Sequence, residues 1–209
     1  MKRFALVTCF SFLALTSVSA QEGSKVGFNL GAGFTTPVGN TSRHLDPGWN
    51  LRAGVGYNFS PYVGLMVDLG YDSFGINSAT LSNIGAPGGS LNVFSATLDP
   101  IVHLNPRGHV DVYLTGGMGL FHRYQEFTRP DVAVVTGFDP FFGFYPVAVP
   151  VNNVLASYSV NKLGVDAGMG VAFGTKWHGK IFAEAKYNRI FMGNYLHTDY
   201  VPVTFGFRW

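Results

Sequence analysis

From Val26 to the last residue, apolar and polar positions alternate with a period of two, broken by clusters of turn-forming residues. Alternation of this kind marks strands whose two faces meet different surroundings. The first run sets Val26, Phe28, Leu30, Ala32 and Phe34 against Gly27, Asn29, Gly31 and Gly33. The second sets Trp49, Leu51, Ala53, Val55, Tyr57 and Phe59 against Asn50, Arg52, Gly54, Gly56 and Asn58. Six more runs follow, opening at Val63, Phe94, Val110, Leu163, Ile181 and Val201. Each is close to the roughly 9–11 residues that a tilted membrane strand needs. In the fourth, Pro100 cannot donate to a ladder, so a bulge is expected there.

The connections alternate in length. Short ones fall at Ser60-Pro61, Asn105 to Gly108 and Thr175 to Gly179, and long ones at 36–48, 74–90, 124–155 and 190–199. Short periplasmic turns alternating with long extracellular loops, on an even number of strands, form the pattern of outer-membrane barrels. A soluble sandwich also alternates, but it shows its polar face to water. Here that face is mostly glycine, small polar residues and a few charges, which suits the narrow interior of an eight-stranded barrel better than a wet surface. Aromatic residues fall into two sets, as interfacial girdles require. Tyr57, Phe59, Tyr62, Trp177 and Trp209 lie towards the turns, and Phe34, Trp49 and Tyr71 towards the loops.

Composition sharpens the choice. Only 12% of residues are charged and 15% are aromatic, so much of the surface meets something other than water. After residue 20 no apolar run is long enough for a spanning helix. A chain that faces lipid without such helices must close its sheet, because an open edge cannot be hydrated in hydrocarbon. The expected fold is therefore all-β, a closed antiparallel transmembrane β-barrel of eight strands.

The N-terminus is different. Lys2 and Arg3 precede the apolar stretch Phe4 to Thr16, and Val18-Ser19-Ala20 offers small residues before Gln21. Residues 1–20 thus read as a signal peptide cleaved after Ala20, with 21–209 forming the barrel domain in the outer membrane. The only cysteine, Cys9, lies in that signal, so disulfides and thiolate metal sites are excluded from the mature chain. Loss of Lys2 and Arg3 lowers the basic residues from 14 to 12, equal to the 12 acidic ones. No basic patch remains for nucleic acid. His103, His109, His122 and His178 are scattered, and no metal is implied. Gly31-Ala32-Gly33 and Gly168-Met169-Gly170 lack the wider spacing of a nucleotide-binding loop, so no cofactor is expected.

At the C-terminus, Val201 to Trp209 alternates and ends on an aromatic residue. The stretch Phe94 to Arg123 carries Thr97-Leu98-Asp99-Pro100 and Gly116-Gly117-Met118-Gly119. In these features and in its architecture the mature chain resembles the small outer-membrane barrels of OmpA and OmpX type. The resemblance implies that Phe205, Phe207 and Trp209 belong to a signal read by the outer-membrane assembly machinery. It also implies a monomer among membrane lipid and lipopolysaccharide, and the periplasmic peptidoglycan-binding domain of longer relatives is not expected here. It does not imply an activity.

Three sets of residues are candidates for function. Arg52, Asp68, Asp99, Glu184 and Lys186 fall at one level near mid-membrane and point inward, where charges must pair with each other or with trapped water. They form either a structural plug of salt bridges or a gate that admits ions. The 124–155 connection is expected to be a long loop without regular structure, rich in rings: Phe138, Phe141, Phe142, Phe144 and Tyr145. It either presents an aromatic interaction site or folds over the barrel mouth and buries its own rings. Third, His44-x-Asp46 and His197-x-Asp199 become neighbours when the first strand pairs with the last, and a His-Asp couple can serve as a general base. The serine of the lipid A deacylase pattern is missing beside His197, and these couples read first as polar loop residues. The expected function is a non-enzymatic structural or surface-interaction protein acting through its loops. A small gated channel and a rim enzyme acting on lipid or peptide are the alternatives.

Overall fold

The computed structural model describes residues 25–174, 179–193 and 196–209. The expected signal peptide with Cys9, together with Trp177 and His178, lies outside the described residues. The strands are β1 (Val26–Pro37), β2 (Leu45–Asn58), β3 (Val63–Ile76), β4 (Gly88–His103), β5 (Val110–Asp139), β6 (Gly143–Gly174), β7 (Lys180–Gly193) and β8 (Leu196–Arg208). Each pairs antiparallel with the next, and β8 returns to β1 from Asn29↔Arg208 to Pro37↔Tyr200. The eight strands close into a barrel. Trp209 completes the seam: its carbonyl accepts from Phe28 N at 2.7 Å, and its own N–H donates to Phe28 O at 3.0 Å.

The faces are those that alternation requires. Leu30, Leu51, Val67, Leu98, Leu114 and Phe205 are exposed on the outside, while Asn50, Asp68, Asp99 and Thr204 are buried inside. Around the loop side, Tyr71 lies 5.0 Å from Trp49 and 4.7 Å from Phe94, ring centre to ring centre, as a belt across β2, β3 and β4. On the turn side Tyr57 and Phe59 meet edge to face, and Phe28 stacks on Trp209.

Pro100 does not form the expected bulge. The β4–β5 register runs unbroken from Leu98↔Met118 to Ile101↔Thr115, and pairing only skips Asp99 and Pro100. Gly117 lies beside this gap, and a Cβ on it would strike Leu98 O and Asp99 Oδ1. The skipped pairs thus absorb the missing donor without an extra residue. Register shifts occur instead at Asp46/Trp49, Phe127/Thr128 and Phe191/Gly193.

The strands also reach further than the alternation suggested, and the outer connections are correspondingly short. A 3-10 turn, Gly39–Arg43, links β1 to β2. A short helix α1, Ser78–Ile84, links β3 to β4, with the Asn77 side chain accepting from Ala79 N and Gly85 ending it at φ 67°. The largest departure concerns 124–155. This segment is a β-hairpin, paired from Tyr124↔Ser159 to Asp139↔Gly143, so β5 has 30 residues and β6 has 32. Its valines, among them Val132, Val134, Val147, Val149 and Val151, carry the β-propensity that holds the ladder.

The interior is stratified. Towards the loops, Leu45, Phe74, Ile76, Leu91, Val93, Phe121, Ile190 and Tyr200 form a buried apolar cluster, with Leu81 of α1 and Phe127 packed on it. Towards the turns, Met66, Ile101, Tyr113, Ala172 and Phe182 form another. Between them lies a charged layer.

Candidate functional site

The charged layer centres on Lys186. Its ammonium nitrogen lies 2.6 Å from Asp99 Oδ2, 3.1 Å from Asp68 Oδ2 and 3.7 Å from Glu184 Oε1. Thr97 Oγ1 donates to the same Asp99 oxygen at 3.0 Å. Arg208 approaches the other Glu184 oxygen at 3.8 Å, and its guanidinium lies over the Tyr113 ring at 4.4 Å. Four of the five expected residues therefore meet at one ammonium. Arg52 is the exception. It donates to Asp72 Oδ2 at 2.6 Å and to Ser95 Oγ at 3.0 Å, making a second pair displaced towards the loops.

The layer is made possible by glycine. A Cβ at Gly70 would collide with the Arg52 guanidinium and with Ser95 Oγ, so the guanidinium lies across a position that any other residue would fill. Asp72, Asp166 and Arg208 were missed by the sequence reading, although alternation places all three on the inward face. Asp166 is buried, 6% exposed, and neither carboxylate oxygen has a hydrogen-bond partner. In this layer, among the described residues, Arg52, Lys186 and Arg208 face Asp68, Asp72, Asp99, Asp166 and Glu184, so carboxylates outnumber cations. At the turn side Asp111 takes His103 Nδ1 at 2.7 Å and Lys180 Nζ at 3.2 Å.

Outside the barrel, the β5–β6 hairpin forms an arm. The β4–β5 pairing ends at Gly88↔Thr128, and β7 accompanies β6 only as far as Gly164↔Ile190. Beyond those pairs, among the described residues, β5 and β6 pair only with each other. Phe127 roots the arm on the loop-side cluster. At the apex Asp139 Oδ1 accepts from Phe141 N at 2.8 Å and Phe142 N at 3.1 Å, Pro140 follows Asp139, and Gly143 adopts φ +76°. Asp then Pro, with glycine closing the turn, is what a three-residue hairpin loop demands. The rings do not fold back over the mouth. Phe141 is 90% and Phe142 85% exposed, Phe144 and Tyr145 are exposed beside them, and the Phe138 ring meets Phe144 at a tilt, 5.1 Å between centres.

The rim couples have different partners. His44 Nδ1 faces Thr80 Oγ1, and Asp46 accepts from Asn77, whereas Asp199 is clasped by Arg189 through Nε at 2.9 Å and Nη2 at 3.1 Å. His197 Nε2 lies 3.2 Å from Asp199. The first and last loops do touch, through Asp199 N donating to Thr41 Oγ1 and Val38 N to Asp199 O. That contact splices the seam rather than joining the two histidines. Among the described residues no group of three or more His, Cys, Asp or Glu is arranged to hold a metal.

A closed ring of eight strands with an apolar outer band, two aromatic belts and a salt-bridged interior defines an integral protein of the bacterial outer membrane. The chain belongs to the outer membrane protein beta-barrel domain family, which it matches over residues 5–208. Among solved structures it is similar to Neisserial surface protein A, with a TM-score of 0.58 and 16% identity over 88% of this chain and 96% of that one. It is also similar to a major outer membrane protein from Thermus thermophilus, with a TM-score of 0.56 and 13% identity over 89% and 99% of the two chains. No curated protein matches the sequence significantly. At these identities the likeness is one of fold.

Proposed function

We propose that this is a non-enzymatic surface-interaction protein: a closed barrel that holds the β5–β6 arm away from the cell and presents its aromatic apex. The observation that carries this reading is the apex, where two phenylalanines at 90% and 85% exposure sit on a turn capped by Asp139. Exposed aromatic clusters of this kind mark interaction sites. Residues 1–20 act as the cleaved export signal, and Phe205, Phe207 and Trp209 as the signal read during assembly of a monomeric barrel. Deleting 136–148 tests the proposal. Cells making the shortened protein should lose adhesion to surfaces that the full-length protein binds, while the barrel still shows the heat-dependent gel shift expected of a closed barrel, which resists SDS until it is boiled. Unchanged adhesion would end the proposal.

The channel reading has one observation in its favour, the buried Asp166, whose carboxylate makes no hydrogen bond, in a layer richer in carboxylates than in cations. Against it stand the apolar clusters above and below that layer. Conductance steps in a planar bilayer, abolished by Asp166→Asn, would establish it. A silent bilayer is the expected result.

A further inference from the structure

Resting on that reading of the arm, we propose its partner: the apex docks into the headgroup region of an opposing, electrically neutral lipid bilayer. The edges of the arm argue first. Pro130 faces Asn152, Pro150 faces Val132 and Pro146 faces Thr136. Positions 130, 132 and 136 share one parity, so all three prolines lie in the same class of cross-strand pair. A proline has no N–H to give its partner strand, so that class is the one whose N–H groups point away from the ladder. The prolines thus remove one outward donor from the β5 edge and two from the β6 edge, and Asp131 Oδ1 takes the N–H of Val132, which disfavours strand addition by another chain or a second copy.

The faces argue next. One carries Val134, Phe138 and Ala148, the other Val135, Tyr145 and Val149, and between residues 132 and 151 the sole formal charge is Asp139. A protein groove covers one face of a ribbon and leaves the other wet, whereas a bilayer surrounds the apex from every side. With no basic residue in this stretch, neither a polyanion nor an acidic lipid surface is attracted. Full immersion is excluded, since the remaining outward N–H and C=O groups need water. Entry is therefore limited to the rings at the turn, at the depth where aromatic side chains settle in membranes.

Reach selects the opposing bilayer over the protein's own. From Thr128, where β4 leaves it, β5 continues eleven residues to Asp139, about 36 Å at roughly 3.3 Å per residue. At a strand tilt of about 45° the apex stands about 25 Å above the rim, well beyond a headgroup layer of about 6 Å.

The test places the mature chain, which keeps no cysteine once the segment with Cys9 is removed, in nanodiscs as a Phe141→Cys variant with an environment-sensitive dye. Adding phosphatidylcholine vesicles should shift the dye to the blue, and wild-type nanodiscs should float with the vesicles. F141S/F142S should weaken that flotation by about tenfold per ring lost and leave the heat-dependent gel shift intact. A blue shift before vesicles are added would place the apex in its own membrane and overturn the proposal. So would flotation only with anionic vesicles, or a shift that grows with protein concentration alone. Loss of adhesion on deleting 136–148 without any vesicle binding would sink the lipid partner but spare the arm as an interaction site. No effect of the deletion would sink both.

Discussion

Replacing Lys186 with methionine removes one positive charge and keeps a side chain of similar length. In the native layer the ammonium has three carboxylates within 3.7 Å. With an effective dielectric of about 20, each attraction is worth roughly 4–6 kcal/mol. Most of that is offset by stripping water from the ammonium and by repulsion among the carboxylates. What decides the outcome is that the carboxylates stay behind. Breaking a buried ionic cluster from one side leaves uncompensated charge and costs about 3–5 kcal/mol, whereas removing both partners costs much less. K186M should accordingly lower the unfolding free energy by about 3–5 kcal/mol, read from the urea midpoint of the heat-dependent gel shift in detergent. K186M/D99N, which also removes the nearest carboxylate, should recover more than about 1 kcal/mol of the loss. A wild-type midpoint for K186M would refute the reasoning. So would a double variant weaker than the single one, because the interior would then be held by its apolar clusters alone.

Other consequences follow from the same geometry. D166N should raise the urea midpoint, by about 1 kcal/mol, because a buried carboxylate without a hydrogen bond, close to Asp68 and Asp99, is replaced by a neutral group of the same shape; a lower midpoint would mean that its attraction to Lys186 outweighs that repulsion and its burial. Gly143→Val places a β-branched residue at φ +76° and should cost about 1–2 kcal/mol locally. Hydrogen exchange should then quicken in the arm from 132 to 151 and stay unchanged in the barrel wall. Removing Trp209 deletes two backbone hydrogen bonds with Phe28 and one half of a ring stack. The fraction of chain that reaches the heat-shiftable form should fall, and an undiminished yield would show that the seam closes without it.

The barrel wall was legible because its physics is local and repetitive. Leu30, Leu51, Val67 and Phe205 face outward on strands far apart in the chain, and alternation alone places each of them. Lys186, Asp68, Asp99 and Glu184 were legible as inward charges for the same reason. Their pairing was less so. Register runs askew around a tilted ring, so residues at equal distance from the turns need not touch, and Arg52 reaches Asp72 rather than Asp68. The loop-side cluster escaped because Phe74, Leu91 and Val93 continue strands whose alternation stops at Asp72 and starts at Phe94. There the inward face turns from polar to apolar, and the contrast that reveals a strand disappears. The arm was hidden for a related reason. Both of its faces are apolar, so it offers no period-two contrast, and Pro130, Pro146 and Pro150 read as loop residues although they sit on the open edges of a ladder.

Loss of contrast in the arm and loss of contrast near the barrel mouth have opposite physical meanings. Phe74, Leu91 and Val93 are apolar where a barrel lumen is usually wet, and they are buried by one another and by Leu81 and Phe127. Their burial stabilises the closed mouth and needs nothing from outside. Phe141 and Phe142 are apolar where a surface loop is usually polar, and nothing in the described residues covers them. Keeping two such rings in water costs roughly 1.5–3 kcal/mol each relative to burial, and that free energy is available to whatever partner covers them. Phe127 joins the two regions, since it packs into the mouth at the residue before the bulge from which the arm departs. The packed cluster at the mouth thus anchors the arm, and on the proposed reading an anchored root lowers the entropy lost when the apex meets a partner.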